Sequence, residues 1–206
     1  MHEIKNPLEA LGHLIYLSRE EANDREHVLR YMQMAEEQIL SLNDIAREAL
    51  GLARTSHSPK PVDLVALAEA ALRIHRRTIE AKQVHLVKDL SEEVIAQVHT
   101  VEILQVISNL IVNALEALPA QGVLFLRVRR RRNQIQFLIV DNGHGIEPNH
   151  AAQIFQPFFT AKGDRGTGLG LALSKKIIER HRGRISMRSS VRAGRSGTAF
   201  RISLPA

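Results

Sequence analysis

The spacing of glycines between Asp141 and Leu173 constrains this chain more than any other feature. The stretch reads DNGHGIEPNHAAQIFQPFFTAKGDRGTGLGLAL, with Gly143 and Gly145 at its front and Gly166, Gly168 and Gly170 at its back. Glycine tolerates positive φ and close backbone approach, and successive free N–H groups form concave anion sites. The rear cluster runs straight into an apolar, helix-forming segment, Leu169 to Ile178. A glycine turn that feeds a helix N-terminus is a cradle for phosphate. At the front, Phe137-Leu138-Ile139-Val140 is a strong β run, which puts the Asp141 carboxylate at a strand end facing a cleft. The order of strand, Asp-x-Gly-x-Gly, loop, Gly-x-Gly-x-Gly and helix reads as a nucleotide pocket. A Rossmann fingerprint follows its strand directly with one glycine cluster, and no Gly-Lys-Ser/Thr is present for a Walker loop.

The rest of the chain divides by periodicity. In residues 1–54, Ile4, Leu8, Leu11 and Ile15 recur at spacings of four, three and four, and Val28, Met32, Ala35, Ile39, Leu42, Ala46 and Ala49 continue that alternation. This is the period of a helical bundle seam, and Asn23 or Asp24 suits the cap of a second helix. The reading is an antiparallel helical hairpin that completes a four-helix bundle by self-association. Ser56-His57-Ser58-Pro59-Lys60-Pro61 breaks the composition, so residues 55–61 are read as a linker. Residues 62–206 then alternate. The pattern predicts a helix over Leu64–Lys82, strands at Val84–Val87 and Val94–Val98, a long helix over Val101–Leu118 and a hairpin of Val123–Val128 with Ile135–Val140. A helix to His181 and strands near Ile185–Ser189 and Ala199–Leu204 close the chain. The fold class is α+β, with helices beside a mainly antiparallel sheet as a two-layer α/β sandwich.

Composition narrows the setting. The chain has 206 residues and no cysteine, which excludes disulfides and thiol-bound metal and suits a reducing cytosol, hence a cytoplasmic location. No apolar run approaches the ~20 residues of a membrane span. The net charge is +6, and Arg127 to Arg132 is its densest cluster. Without an aromatic platform beside it, that cluster reads as a solvated strand end, and no nucleic acid is expected as a partner.

Taken together, these motifs resemble the ATP-binding domain of sensor histidine kinases, which is shared with DNA gyrase B and the ninety-kilodalton heat-shock chaperone. His2-Glu3-Ile4-Lys5-Asn6-Pro7-Leu8 resembles the family's phosphoacceptor box, and the whole pattern is most similar to the nitrogen-regulator type. The resemblance implies that His2 takes the phosphoryl group, that Glu3 orients its ring and acts as base, and that Asn6 reaches the same phosphate or a water beside it. Asn113 supplies an oxygen to Mg²⁺ between the phosphates of ATP, with Asn109 assisting. Asp141 accepts the adenine amino group, and Gly143, Gly145, Ile146, Phe155, Lys162, Gly166, Thr167, Gly168, Leu169, Gly170 and Thr198 complete the pocket and its lid. Relatives often carry a basic residue three positions after the second Asn, where this chain has Glu116; Lys162 is then the replacement charge for the γ-phosphate. The implied partners are a response-regulator receiver domain and a second copy of the chain. The alternatives are an ATPase of the same superfamily that drives a clamp or chaperone, and a catalytically silent dimeric scaffold.

Helix lengths supply a further expectation. The first helix ends near Glu20 and the second runs from about Asn23 to Arg54, about ten residues longer, which at ~1.5 Å per residue leaves roughly 15 Å unmatched. The chain is therefore expected to be a truncated product, or to take its sensing input from another protein, with His2 poorly held and dimerisation weak. Adding about ten heptad-patterned residues before His2 is expected to tighten the dimer in analytical ultracentrifugation. A tight dimer from the chain as it stands contradicts this.

Overall fold

The computed structural model describes residues 2–49, 58–90, 93–160 and 168–206. Lys162, Gly166 and Thr167 lie outside the described residues, as do the side chains of residues 2–5, 37, 40, 41 and 43–49. The chain divides into two compact units, 1–56 and 57–206.

In the first unit, α1 (His2–Glu20) and α2 (Arg25–Ala49) pack against each other across a short polar turn. Asp24 caps α2: its Oδ1 accepts from the N–H groups of Glu26 at 3.0 Å and His27 at 3.2 Å. Glu21 Oε2 meets His27 Nδ1 at 2.6 Å and accepts from the Tyr31 hydroxyl at 3.1 Å, which ties the turn to the start of α2. The buried stripe of α1 lies beside the expected seam of Leu8, Leu11 and Ile15. Pro7 and Leu14 are buried, whereas Leu8, Ile15, Leu29 and Met32 stay 54%, 53%, 61% and 41% exposed. Residues seven apart share a helix face, and adjacent ones differ by about 100°. The pairs Pro7/Leu14 and Leu8/Ile15 are therefore separate stripes, of which one is covered. Pro7 is the sixth residue of α1, beyond the first turn, so its missing N–H costs the helix an i→i−4 bond rather than falling among the free end groups.

The second unit is α+β. In chain order it runs β1 (Lys60–Asp63), α3 (Leu64–Ile74), α4 (Arg76–Ala81), β2 (His85–Leu90), β3 (Ile95–Val98), α5 (Thr100–Ala117), β4 (Val123–Arg131), β5 (Gln134–Asp141), α6 (Pro148–Ala151), α7 (Gly170–Arg180), β6 (Arg184–Ser190) and β7 (Gly197–Pro205). A five-stranded sheet has the order β2-β4-β5-β7-β6, and β1 pairs with β3 in a separate ribbon. The sheet is mixed. β2 runs parallel to β4 because β3 and α5 form the crossover between them, and the other pairs are antiparallel.

Alternation along the strands makes the core. Leu124, Leu126 and Val128 of β4 and Ile135, Phe137 and Ile139 of β5 are buried on the helix side. Against them lie Ile103, Val106, Ile107, Leu110 and Ile111 of α5, flanked by α3 and α7. α5 has the length and apolar composition of a membrane span, a segment the sequence reading excluded. Here its apolar side is the centre of the core.

Three further expectations shift. The helix expected over Leu64–Lys82 breaks at His75 into α3 and α4. The β4–β5 hairpin extends through Arg131 and turns at Arg132, where φ is 55°. β1 begins inside the stretch read as a linker. It ends on Asp63, whose Oδ1 accepts from Val65 N at 2.9 Å and Val94 N at 3.2 Å and whose Oδ2 accepts from Ala66 N at 3.3 Å. One carboxylate thus caps α3 and fixes the entry to β3. Asp63→Ala is expected to destabilise the second unit by about 1–2 kcal/mol, the upper part of the range for a lost cap. Urea unfolding followed by circular dichroism checks it, and an unchanged midpoint would remove this role.

Candidate functional site

At the end of β5, the exposed side of α5, the loop after Asp141, α6 and the start of α7 surround an open cleft of about 1070 Å³. α5 turns its apolar side to the core and its polar side, with Asn109, Asn113 and Glu116, to the cleft. The spacing of four and three residues puts all three on one helix face.

Asp141 is the buried acid of the site, with 5% exposure. Its Oδ1 accepts from Gly143 N at 2.9 Å and from Thr198 N at 3.3 Å, so β5, the loop and β7 meet on one oxygen. Both bonds fall on Oδ1, and the carboxylate lines the cleft with its other oxygen still able to accept. Burial pushes its carboxyl above the usual carboxylate range, against the two N–H bonds and nearby His144. Ser189 secures the adjoining turn: its Oγ accepts from Ile146 N at 2.8 Å and donates to the Gly197 carbonyl at 2.8 Å.

Close approach to backbone requires one glycine, and a second sits against a side chain. Gly145 has φ of 79°, and a Cβ there would strike the Ser190 carbonyl. A Cβ on Gly170 would lie 2.5 Å from Asn109 Oδ1, so the first residue of α7 sits directly on the α5 amide. Asn109 Nδ2 also donates to Ser174 Oγ at 2.9 Å, which pins α5 to α7 at the cleft rim. Asn113 lines the cleft one turn further on.

The structure gathers most of the residues selected from sequence. Asn109, Asn113, Asp141, Gly145, Ile146, Gly168, Gly170 and Thr198 line one cleft. Gly143 lies beneath it against Ala117, and Leu169 is the residue preceding α7. Phe155 is not among the lining residues. Its ring meets Phe200 edge-on at 6.5 Å between centres, and Phe200 forms part of the wall. Lys162, Gly166 and Thr167 fall outside the described residues, as do the side chains of His2 and Glu3; Asn6 is exposed on α1.

The cleft also holds residues the sequence did not announce. Phe159 lines it with His150, their rings edge-on at 5.5 Å. Phe159 lay within the aromatic stretch after Ile154, but nothing local distinguished it from Phe155. Lys82, from the turn after α4, donates through Nζ to the carbonyls of Leu115 at 2.6 Å and Leu118 at 3.2 Å. It caps the C-terminal end of α5, where a cation is favourable. No spacing in the sequence connects it to the site.

Chemically, the cleft offers a buried acceptor for an amino group at one end. At the other it offers backbone N–H groups of a glycine-bordered helix start, and between them amide oxygens. The amide oxygens of Asn109 and Asn113 are hard donors of the kind Mg²⁺ takes.

Residues 99–206 match the family described as histidine kinase-, DNA gyrase B- and HSP90-like ATPase. Over 191 residues the chain is 34% identical to the signal transduction histidine-protein kinase AtoS of Escherichia coli, covering 91% of this chain and 31% of AtoS. It is 31% identical to the sensor histidine kinase ZraS of Salmonella typhimurium over 99% of this chain and 44% of ZraS. The chain thus spans less than half of either relative. The catalytic domain of histidine kinase ThkA superposes with a TM-score of 0.64 at 26% identity, over 71% of this chain and 96% of that one. ThkA solved in complex with the response regulator protein TrrA shares the fold at a TM-score of 0.63 and 24% identity, over 99% of this chain and 59% of ThkA.

The Asp141 environment gives a stability prediction. Its carboxyl is raised in the folded protein, so ionisation opposes folding. Its contribution is most favourable below about pH 3.8 and is lost as pH rises through the raised value. Asp141→Asn keeps the acceptor oxygen for Gly143 and Thr198 and removes that loss. The variant is expected to gain stability relative to the parent as pH rises from acid to neutral, read as the difference in melting temperature at each pH. A difference that does not change with pH contradicts the burial argument.

Proposed function

We infer, for a chain that belongs to the histidine kinase-, DNA gyrase B- and HSP90-like ATPase family, that it is the core of a two-component sensor kinase: ATP phosphorylates His2, and the phosphoryl group passes to an aspartate of a response regulator. The observation that carries this reading is the buried Asp141 carboxylate, facing the same cleft as Asn113 and the glycine-bordered start of α7. The adenine amino group donates to Asp141, and the phosphates lie against the N–H groups from Gly168 to Leu171. Asn113 would hold Mg²⁺, with Asn109 assisting, and the ion would supply charge neutralisation on the phosphates.

In the transfer, a neutral imidazole nitrogen of His2 attacks the γ-phosphorus, the bond to the β-phosphate oxygen breaks, and ADP leaves. Glu3 takes the displaced imidazole proton. The phosphoramidate then passes its phosphoryl group to a carboxylate of the regulator as Glu3 returns the proton to the ring, which restores the neutral imidazole. The ThkA–TrrA complex supports a receiver domain as that acceptor. The exposed stripe of Leu8, Ile15, Leu29 and Met32 supports a homodimer, because a second copy covers it in a four-helix bundle.

Incubation with γ-labelled ATP and Mg²⁺ tests the reading. The parent is expected to gain acid-labile phosphate. His2→Gln gains none and keeps its nucleotide affinity, and Asn113→Ala loses Mg²⁺-dependent binding. Asp141→Asn weakens ATP binding roughly ten- to a hundredfold, since a charge-assisted bond contributes about 1.5–3 kcal/mol. Stable labelling of His2→Gln would undo the kinase assignment.

Asn6 carries a second activity in this proposal. It lies one helical turn from His2 and is exposed, so its amide can place a water against the phospho-aspartate of a docked regulator. Asn6→Ala is expected to lose regulator dephosphorylation and largely keep His2 labelling; equal dephosphorylation rates in the two proteins would sink the role.

A further inference from the structure

The face of the five-stranded sheet opposite α3, α5 and α7 carries an arrangement that nucleotide chemistry does not use. Strand register places Arg127, Arg129 and Arg131 of β4, Arg201 of β7, and Arg184 and Arg188 of β6 on that face. Their neighbours Leu126, Val128, Ile185 and Ile202 are buried on the other side, which fixes the alternation. All these arginines except Arg127 are exposed, and the Arg127 guanidinium lies 5.1 Å above the centre of the Phe125 ring. Among the described residues, the carboxylate that the register adds to this face is Asp89 of β2, opposite Arg127. Its Oδ2 already accepts from Arg129 and Arg127, both at 2.7 Å, and these arginines hold its carboxyl below the usual range. The unit has the same bias. Residues 57–206 contain 22 Lys and Arg against 12 Asp and Glu, a net charge of +10, while residues 1–56 contain 6 against 10 and carry −4, which together give the chain's +6.

We propose that this face docks a folded protein whose surface presents carboxylates around an apolar centre, a partner independent of the phosphotransfer reading. The side chains favour that occupant over a phosphate polymer or a lipid surface. The basic residues on the face are arginines, while Lys88 of β2 alternates to the opposite side and pairs with Glu69 at 2.7 Å. Protein interfaces are enriched in arginine and depleted in lysine, and the guanidinium fork matches carboxylates, whereas nucleic-acid backbones and anionic headgroups attract lysine as well. Apolar residues separate the arginines: Leu138 sits between Arg127 and Arg201 in register, and Val87, opposite Phe125, is 46% exposed. One face of the Phe125 ring is occupied by the Arg127 guanidinium, which competes with a base for it. Five strands spaced ~4.8 Å and about eight residues long give roughly 500 Å² per partner, the scale of a transient complex.

The test titrates the isotope-labelled full chain with three probes: a synthetic peptide alternating glutamate and leucine, a short DNA duplex, and phosphatidylglycerol vesicles. The peptide is expected to perturb the amides of Arg129, Gln136, Arg184 and Arg201. Combined Arg131→Glu, Arg184→Glu and Arg201→Glu is expected to weaken it at least tenfold and leave ATP affinity unchanged. Lysine at the same three positions keeps the charge and the fold; it is expected to weaken the peptide severalfold and leave the duplex unaffected. Tighter binding of duplex or vesicles than of peptide, equal peptide affinity in the charge-reversed chain, or a lysine variant indistinguishable from the parent overturns the proposal.

Discussion

Two backbone N–H groups hold a buried carboxylate at the end of β5, and the geometry of the cleft depends on them. Gly143 and Thr198 reach Asp141 from segments more than fifty residues apart, so one oxygen sets where the front loop and β7 stand. Close packing reinforces this, since a Cβ on Gly197 would strike the Asp141 carbonyl. Burial raises the energy of the ionised carboxylate. A donor reaching its second oxygen would offset that cost.

α5 joins this site to the stability of the unit. Leu110 and Ile111 are fully buried against the sheet, while Asn109 and Asn113 face the cleft from the same two turns. Asn109 serves both ends, because its amide binds Ser174 and its oxygen lies against Gly170. Lys82 closes the C-terminal end of the helix on two carbonyls. A helix fixed at its rim and its end gives the cleft a stiff wall.

The sequence made the glycine order legible because its chemistry is local. A strand must precede Asp141 and a helix must follow Gly170 for the spacing to make sense, and β5 and α7 lie there. What it hid was non-local. Ser174 looks like any helix serine until α5 lies against it, and Lys82 like any surface lysine until Leu115 and Leu118 end α5 beside it. The parallel β2–β4 pair was missed because strand direction follows from the crossover through α5, not from residue type. In α1 the expected seam followed Leu8, Leu11 and Ile15, and only burial shows that Pro7 and Leu14 form a second stripe beside it.

The central claim is that this cleft binds ATP with the base at Asp141 and the phosphates at the start of α7. Amide shift perturbation in the isotope-labelled chain tests it most directly. ATP with Mg²⁺ is predicted to move Gly143, Gly145 and Thr198 together with Gly168, Gly170 and Leu171, while adenosine moves the first group and leaves the second in place. Shifts confined to residues outside the cleft, or the same shifts from both ligands at the start of α7, would contradict the account.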